Sequence, residues 1–161
     1  MKKLSFIFAL AVMAITWTSC DKDKDDVKPN TKKDLLTAHP WKLTSARIDP
    51  PITVETPDTT VIISDLYDWD ECLQKFAITF SSANTYTSDG GDCSEDELII
   101  TNGTWQFNES ETSITIDPSD DVAETAKIEK LTDSNFEISQ DWDIEEDDFE
   151  WSGKIILSFK K

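Results

Sequence analysis

The sequence predicts an all-β protein, folded as an up-and-down antiparallel barrel of about eight or nine strands. Segments rich in Thr, Ile and aromatic residues alternate apolar with polar side chains, as strands with one buried face do. Short polar connections join these segments, and three successive hairpins each place their apolar residues on one face. Closure into a barrel is expected because it removes the exposed edges that an open sheet would have.

The first 19 residues have the composition of a secretory signal rather than of a membrane span. Two lysines precede an apolar run over residues 4–15, which is too short for a helix to cross a hydrocarbon core of roughly 30 Å. Small residues then precede Cys20, as in bacterial lipoprotein signals, although Trp17 departs from the usual aliphatic residue. We therefore expect residues 1–19 to be removed and Cys20 to be lipidated. An ordinary signal with an unmodified Cys20 is the alternative.

Residues 20–32 are predicted to form an acidic, flexible linker. Residues 21–26 contain only Asp and Lys, and charged segments that are poor in apolar residues do not fold alone. An acidic run directly after an acylated cysteine also resembles the export tag of some Gram-negative lipoproteins. We therefore expect an outer-membrane lipoprotein, attached to the membrane through lipidated Cys20 and exposed on the cell surface. The periplasmic face of that membrane is the alternative.

The remaining residues, 33–161, have the length of one domain. Because the signal carries two lysines and no acid, its removal changes the formal net charge from −18 to −20. This charge repels phosphates and argues against a nucleic acid partner. Besides Cys20 the chain has only Cys72 and Cys93, and an even pair in an exported protein predicts a disulfide.

Prolines and capping residues divide the chain before Cys72 into five segments. The first is a helical turn capped by Thr31 and ended by Pro40. A strand over residues 41–48, with Trp41 inward, is followed by a loop through Pro50, Pro51 and Pro57. The last two are a strand over residues 59–64 and an acidic loop over residues 65–71 with one helical turn.

The hairpins after residue 100 can be aligned because opposed residues of an antiparallel pair lie on the same face. The predicted pairs are Trp105–Ile116 and Phe107–Ile114, then Ile128–Phe136 and Ala126–Ile138, and finally Phe136–Leu157, Ile138–Ile155, Trp142–Trp151 and Ile144–Phe149. A slip of one residue would divide each apolar set between two faces. The last turn is expected at Glu146 and Asp147, and Asn102 with Gly103 is expected to form a bulge.

The preceding hairpin has an ambiguous register. If Cys72 lies opposite Cys93, a cross-strand disulfide can form, but Tyr86 then falls on the face opposite to Phe80. Either Tyr86 faces outward or a bulge intervenes, and the sequence leaves both open.

Several short motifs follow one another along the chain. They are Leu35-Leu36-Thr37 with Trp41-Lys42-Leu43-Thr44-Ser45, Asp70-Glu71-Cys72, Phe80-Ser81 with Tyr86, Cys93, Gly103-Thr104-Trp105, and Ile128-Glu129-Lys130-Leu131-Thr132-Asp133. Together, over about residues 33–160, they resemble the lipocalin-like domain of many bacterial lipoproteins. The resemblance implies a small calycin-type barrel with Trp41 near its closed end. His39 stands where the lipocalin Gly-x-Trp pattern has glycine.

The densest acidic stretch, residues 141–148, is a candidate metal site. Asp141, Asp143 and Glu145 offer the hard oxygen ligands that calcium uses, although the EF-hand spacing is absent. Strand alternation explains the same pattern, with Trp142 and Ile144 inward and the acids in water. A calcium site and a solvated hairpin tip are therefore both open.

Aromatic residues are the candidate ligand contacts. Trp41, Trp105 and Trp151 are expected in the core, because an eight-stranded barrel has room for its own side chains or one small ligand. Tyr67 and Trp69 belong to the acidic loop and are assigned to ligand binding at an open barrel mouth.

No residue pattern indicates catalysis. His39 is the only histidine, and no pair among the 33 acids can be singled out for acid–base chemistry. The sequence therefore predicts a non-enzyme without a cofactor. One hypothesis is an envelope lipoprotein whose barrel binds a small apolar or amphiphilic ligand. The other is a filled structural barrel that acts through a protein partner at the outer membrane, and interior volume distinguishes the two.

Overall fold

A capping box fixes the short helix α1 (Lys32–Thr37) in front of the first strand. Thr31 Oγ1 accepts a hydrogen bond from Asp34 N at 3.0 Å, and the Asp34 carboxylate accepts one from Thr31 N at 3.2 Å. This confirms the predicted cap. The computed structural model describes residues 31–90, 102–119, 121–146 and 149–161. Within these ranges, no helix is long and apolar enough to span a membrane.

Nine antiparallel strands of the described residues form one sheet that closes on itself. They are β1 (Trp41–Glu55), β2 (Thr60–Asp65), β3 (Ala77–Phe80), β4 (Thr85–Asp89), β5 (Asn102–Phe107), β6 (Ser113–Pro118), β7 (Glu124–Leu131), β8 (Asn135–Glu146) and β9 (Phe149–Lys160). Consecutive strands pair from β3 to β9, and β1 pairs with both β3 and β9. The result is a closed eight-stranded barrel with β2 as an additional strand, which confirms the predicted fold class.

Strand β1 is longer than the sequence predicted, so the expected loop through Pro50 and Pro51 was wrong. The strand continues through both prolines to Glu55, and the Asp49–Pro50 peptide bond is cis. The pairing of β1 with β2 is irregular between Arg47 and Ile52, so the prolines lie where regular pairing is interrupted. Proline is tolerated in a strand at such positions because it has no N–H to donate.

The apolar faces of the later hairpins are as predicted, but two of the registers differ. Trp105 lies opposite Ile116 as expected. Gly153, not Trp151, lies opposite Trp142. In the β7–β8 pair, Ile138 rather than Phe136 lies opposite Ile128, and a bulge follows before Lys130. A shift of two residues keeps every side chain on its face, so apolar alternation alone could not detect it.

The register of the β3–β4 hairpin differs by one residue from the predicted one. Phe80 lies opposite Tyr86, and both side chains are buried in the barrel. Tyr86 therefore faces inward. Cys93 lies outside the described residues, and its disulfide with Cys72 stays a prediction.

Gly103 does not mark the expected bulge, since it pairs in regular register with Tyr86 on one side and Pro118 on the other. A Cβ atom at this position would lie 2.1 Å from the backbone oxygen of Asp117. Glycine is therefore required by the close approach of β6.

Aromatic side chains fill the end of the barrel next to α1. Phe80 contacts Trp105 and Phe136 edge-on, at centroid distances of 5.7 and 6.0 Å, and Phe136 stacks on Phe159 at 5.4 Å. Trp41 is fully buried and donates from Nε1 to a backbone oxygen of α1, that of Leu36, at 2.8 Å. Trp105 is buried at this end too, and Trp151 is buried far from it, opposite Ile144 on β8, so all three tryptophans are buried as predicted.

Helix α1 and its flanking residues close this end by reaching three hairpin turns. Lys33 Nζ donates to Asn84 Oδ1 in the β3–β4 turn at 2.5 Å, and Lys32 Nζ donates to a backbone oxygen in the β5–β6 turn. The imidazole of His39 contacts the Trp41 ring in a tilted arrangement, with the centroids 4.3 Å apart, and its Nε2 lies 3.0 Å from the Asp133 backbone oxygen in the β7–β8 turn. We call this the closed end and the opposite one the open end.

Candidate ligand-binding site

The interior of the barrel contains a cavity of about 300 Å³ toward its open end. Its walls are mainly aliphatic and include Ala46 of β1, Ala126 of β7 and Leu157 of β9. Glu124 and Trp142, which also line the cavity, are exposed to solvent, so the cavity reaches the protein surface. A small molecule could therefore enter without breaking the sheet.

The space exists because small residues occupy inward positions in this half of the barrel. Ala46 and Ala126 are both buried and come from strands that do not pair with each other. The corresponding inward positions toward the closed end hold large side chains such as Trp41 and Phe136. An alanine fills far less of the interior than an aromatic ring, so two alanines leave a void that the sheet cannot collapse to close.

A second cavity of about 130 Å³ lies next to the first, toward the aromatic core. Leu73, Ile138 and Leu157 line both cavities, so the two spaces adjoin. The walls of the second cavity include Phe80 and Tyr86, which places it deeper in the barrel. We call it the deep cavity and the first one the outer cavity.

Both the outer cavity and the deep cavity have polar groups in their walls. In the outer cavity, the Gln140 amide donates a short hydrogen bond to the Glu124 carboxylate. In the deep cavity, Tyr86 is 2 % exposed. Burial, reinforced by the negative charge of Asp117, raises the pKa of the Tyr86 hydroxyl to about 12.

Asp65 fixes the segment that forms one wall of the outer cavity. Its carboxylate accepts hydrogen bonds from Ala46 N at 2.7 Å, Tyr67 N at 3.0 Å and Ser45 Oγ at 2.6 Å. These bonds satisfy backbone donors where β1 leaves β3 and before its regular pairing with β2 begins. Two short 3₁₀ turns, Leu66–Asp68 and Leu73–Lys75, follow, and Leu66 and Leu73 line the cavity.

In a comparison with protein families, residues 38–138 match the family described as the lipocalin-like domain. The chain belongs to this family. The match covers most of the barrel, from just before β1 into β8. The matched region ends within β8, before the rest of that strand and all of β9 complete the barrel. Strand β9 supplies Ile155 and Leu157 to the outer cavity. A search of curated proteins finds no match.

The lipocalin-like domain places the predicted ligand contacts Tyr67 and Trp69 beside the outer cavity wall. Tyr67 is half-buried and packs against the core, whereas Trp69 is 62 % exposed. Neither side chain lines the cavity; the neighbouring Leu66 does. Their contact with a ligand stays a prediction.

Sequence reasoning missed Glu124, Ala126 and Gln140 as cavity residues. Ala126 was correctly assigned to the inward face, and its small size was the available signal. That signal becomes informative only with Ala46, because a void needs small residues that face each other across the barrel. Gln140 lies on the face of β8 that alternation predicted to be inward, but its polar side chain gave no signal for a place in the interior.

The predicted metal ligands Asp141, Asp143 and Glu145 are exposed on β8. Asp143 accepts a hydrogen bond from Ser152 Oγ on β9. Across the described parts of the chain, no group of three or more His, Cys, Asp or Glu side chains is arranged to hold a metal ion. Calcium binding stays a prediction, as does lipidation of Cys20, which lies outside the described residues together with the proposed signal.

Proposed function

We propose that this lipocalin-like domain is a non-catalytic binding protein that holds one small apolar or amphiphilic molecule inside its barrel. The adjoining outer and deep cavities carry the proposal, because the outer one, at about 300 Å³, lies at the lower end of the range for ligand sites. A filled structural barrel would have aromatic packing throughout its length. Among the described residues, the ring–ring contacts lie toward the closed end, whereas the outer cavity stays open although Trp142 is one of its walls. The interior therefore favours binding over a filled scaffold.

The chemistry of the walls indicates the ligand class. Aliphatic side chains from four strands would exclude water from an apolar ligand body, at roughly 25 cal/mol per Å² of buried apolar surface. Glu124 and Gln140 at the outer cavity offer hydrogen bonds to a polar group at the ligand's outer end. The negative charge of Glu124 disfavours an anionic group there.

Binding of a neutral, apolar fluorescent dye, N-phenyl-1-naphthylamine, tests the proposal. The wild-type protein should bind one dye molecule per chain with saturation. Ala126→Phe fills the outer cavity and should weaken dye binding at least tenfold. Thr125→Phe is the matched control, because the neighbouring residue on β7 is exposed rather than buried in the cavity wall. It should bind the dye as the wild type does.

Two results would contradict the proposal. One is an absence of saturable dye binding by the wild-type protein. The other is equal binding by wild type and Ala126→Phe, provided that circular dichroism shows both to be folded. Native mass spectrometry of protein purified from the exporting host would then identify the class of any natural ligand that stays bound.

We also propose that lipidated Cys20 anchors the barrel to the outer membrane, facing the cell exterior. The apolar run before Cys20 and the acidic run after it support this arrangement. Palmitate labelling and membrane fractionation should show a membrane-bound, labelled protein that becomes unlabelled and soluble in the Cys20→Ala variant. Loss of the protein on protease treatment of intact cells is expected for surface exposure. Full protection would indicate the periplasmic face.

We propose that Cys72 and Cys93 form a disulfide beside the open end. The pairing of Ala77 with Asp89 supports this proposal, because Cys72 lies five residues before Ala77 and Cys93 lies four residues after Asp89. The intact mass of the oxidised protein should increase by two alkyl groups only after reduction. Alkylation of both thiols without reduction would exclude the bond.

A further inference from the structure

The deep cavity contains a buried hydroxyl group that the fold itself does not use. Tyr86 Oη and Ser88 Oγ are, within the described residues, the buried side-chain oxygen and nitrogen atoms without a hydrogen-bond partner. Residues two apart on a strand share a face, so Tyr86 and Ser88 both belong to the interior face of β4. Buried polar groups of folded proteins are nearly always paired, so these two indicate a partner that the protein chain does not supply.

Tyr86 is the stronger of the two because it lines the deep cavity. A cavity of about 130 Å³ is close in size to an engineered apolar cavity of roughly 150 Å³ that binds benzene. It can therefore hold the leading part of a ligand whose remaining part fills the outer cavity. The part that enters it will meet a hydroxyl group surrounded by aliphatic and aromatic side chains.

We propose that the ligand carries an uncharged oxygen acceptor, such as a carbonyl, hydroxyl or ether oxygen, on its leading end, and that Tyr86 Oη donates a hydrogen bond to this oxygen in the deep cavity. This inference rests on the proposed binding function and adds the orientation and chemical class of the ligand.

Charge in the surroundings favours a neutral acceptor over a carboxylate or phosphate. None of the described residues that line the two cavities is Lys, Arg or His, so no cation would compensate a buried anion. Asp117 is close enough for its charge to raise the pKa of Tyr86, and it would repel an anionic ligand group at the hydroxyl. The raised pKa also keeps Tyr86 protonated, and thus a donor, at every physiological pH.

The test uses two uncharged probes of nearly equal shape. The first is 2-nonanone, and the second is 2-methyl-1-nonene, which has a CH₂ group in place of the carbonyl oxygen. Dye displacement gives the affinity of each probe for the wild type, for Tyr86→Phe and for the control Thr87→Val. Thr87 is the exposed neighbour on β4, so its variant removes a hydroxyl from the outer face. Tyr86→Phe should weaken ketone binding about three- to tenfold, as expected for one neutral hydrogen bond, and leave alkene binding unchanged.

The outcomes separate this inference from the function on which it rests. If both probes bind the wild type and Tyr86→Phe affects them equally, the tyrosine contact is wrong while the binding function stands. If neither probe nor the dye binds, both proposals are wrong. Thr87→Val should match the wild type with both probes.

Infrared spectroscopy tests the contact without a variant, in case Tyr86→Phe does not fold. The carbonyl stretching band of bound 2-nonanone should lie at a lower wavenumber than in hexane, because hydrogen bonding weakens the C=O bond. A bound ketone whose band remains at the hexane position would overturn the inference. Octanoate, which places a carboxylate on the same heptyl chain, should bind more weakly than the ketone. Tighter octanoate binding would contradict the argument for a neutral acceptor.

Discussion

Tyr86→Phe should stabilise the ligand-free protein, although it replaces a buried core residue. The hydroxyl is desolvated without a hydrogen bond, which costs about 1–3 kcal/mol relative to water. The space left by one oxygen atom costs only roughly a few tenths of a kcal/mol, at about 24 cal/mol per Å³. We therefore expect the variant to gain about 1 kcal/mol, which corresponds to roughly 3–5 °C in Tm for a domain of this size.

The stability difference between Tyr86→Phe and the wild type should also change with pH, and this change is a second quantity to measure. The pKa of Tyr86 is raised from 10 to about 12 in the folded protein, so the unfolded state loses this proton first as pH rises. The stability linked to this group is present below pH 10 and is lost as pH rises toward 12. At pH 11 the wild type has lost about 1.4 kcal/mol of its stability, because in the unfolded state ionised Tyr86 by then outnumbers neutral Tyr86 about tenfold. Phenylalanine cannot ionise, so at pH 11 Tyr86→Phe should be more stable than the wild type by about 2–3 kcal/mol.

Urea denaturation at pH 8 and pH 11, followed by tryptophan fluorescence, measures both effects. Lysines also titrate in this range, but they are common to the two proteins and cancel in the difference. A variant that is no more stable than the wild type at pH 8, with a difference that stays constant up to pH 11, would refute the reasoning. Tyr86 would then have a partner that satisfies its hydroxyl in the free protein.

Three other predictions concern the frame of the barrel. Asp65→Ala removes three accepted hydrogen bonds and should cost about 2–4 kcal/mol in urea denaturation, whereas the exposed Asp68→Ala should cost less than about 0.5 kcal/mol. Gly103→Ala places a Cβ atom 2.1 Å from a backbone oxygen of the next strand and should cost about 2–3 kcal/mol, so a Tm equal to that of the wild type would contradict the observed register. Lys127→Met removes the main cause of the lowered pKa of Glu129, whose carboxylate Lys127 contacts at 2.9 Å. A carboxyl titration by NMR should show that pKa rising, and no rise would exclude this ion pair in solution.

Most strand faces could be predicted from local sequence. Alternation placed Trp105, Ile114, Phe136 and Ile138 in the core because a strand has two faces, and a one-residue error would expose a row of apolar side chains. The α1 cap was equally local, since Thr31 and Asp34 satisfy each other within one turn. Such features depend on neighbours along the chain.

The cavity residues could not be predicted in the same way. The outer cavity needs Ala46 and Ala126 to be inward on different parts of one barrel, and no local pattern links residues 80 positions apart. Gln140 lies on the predicted inward face of β8, but a polar side chain there does not by itself indicate a cavity. Tyr86 was ambiguous because its face depended on a pairing shifted by one residue.

By itself, the sequence determined an all-β meander with specified apolar faces, and this meander was correctly expected to close as a lipocalin-like barrel. Only the tertiary structure decided the registers, the path of β1 through its prolines, and the division of the interior into an aromatic closed half and a hollow open half. The reason is that alternation constrains each strand to one of two faces, whereas an unfilled volume or an unpaired hydroxyl depends on every strand that surrounds it.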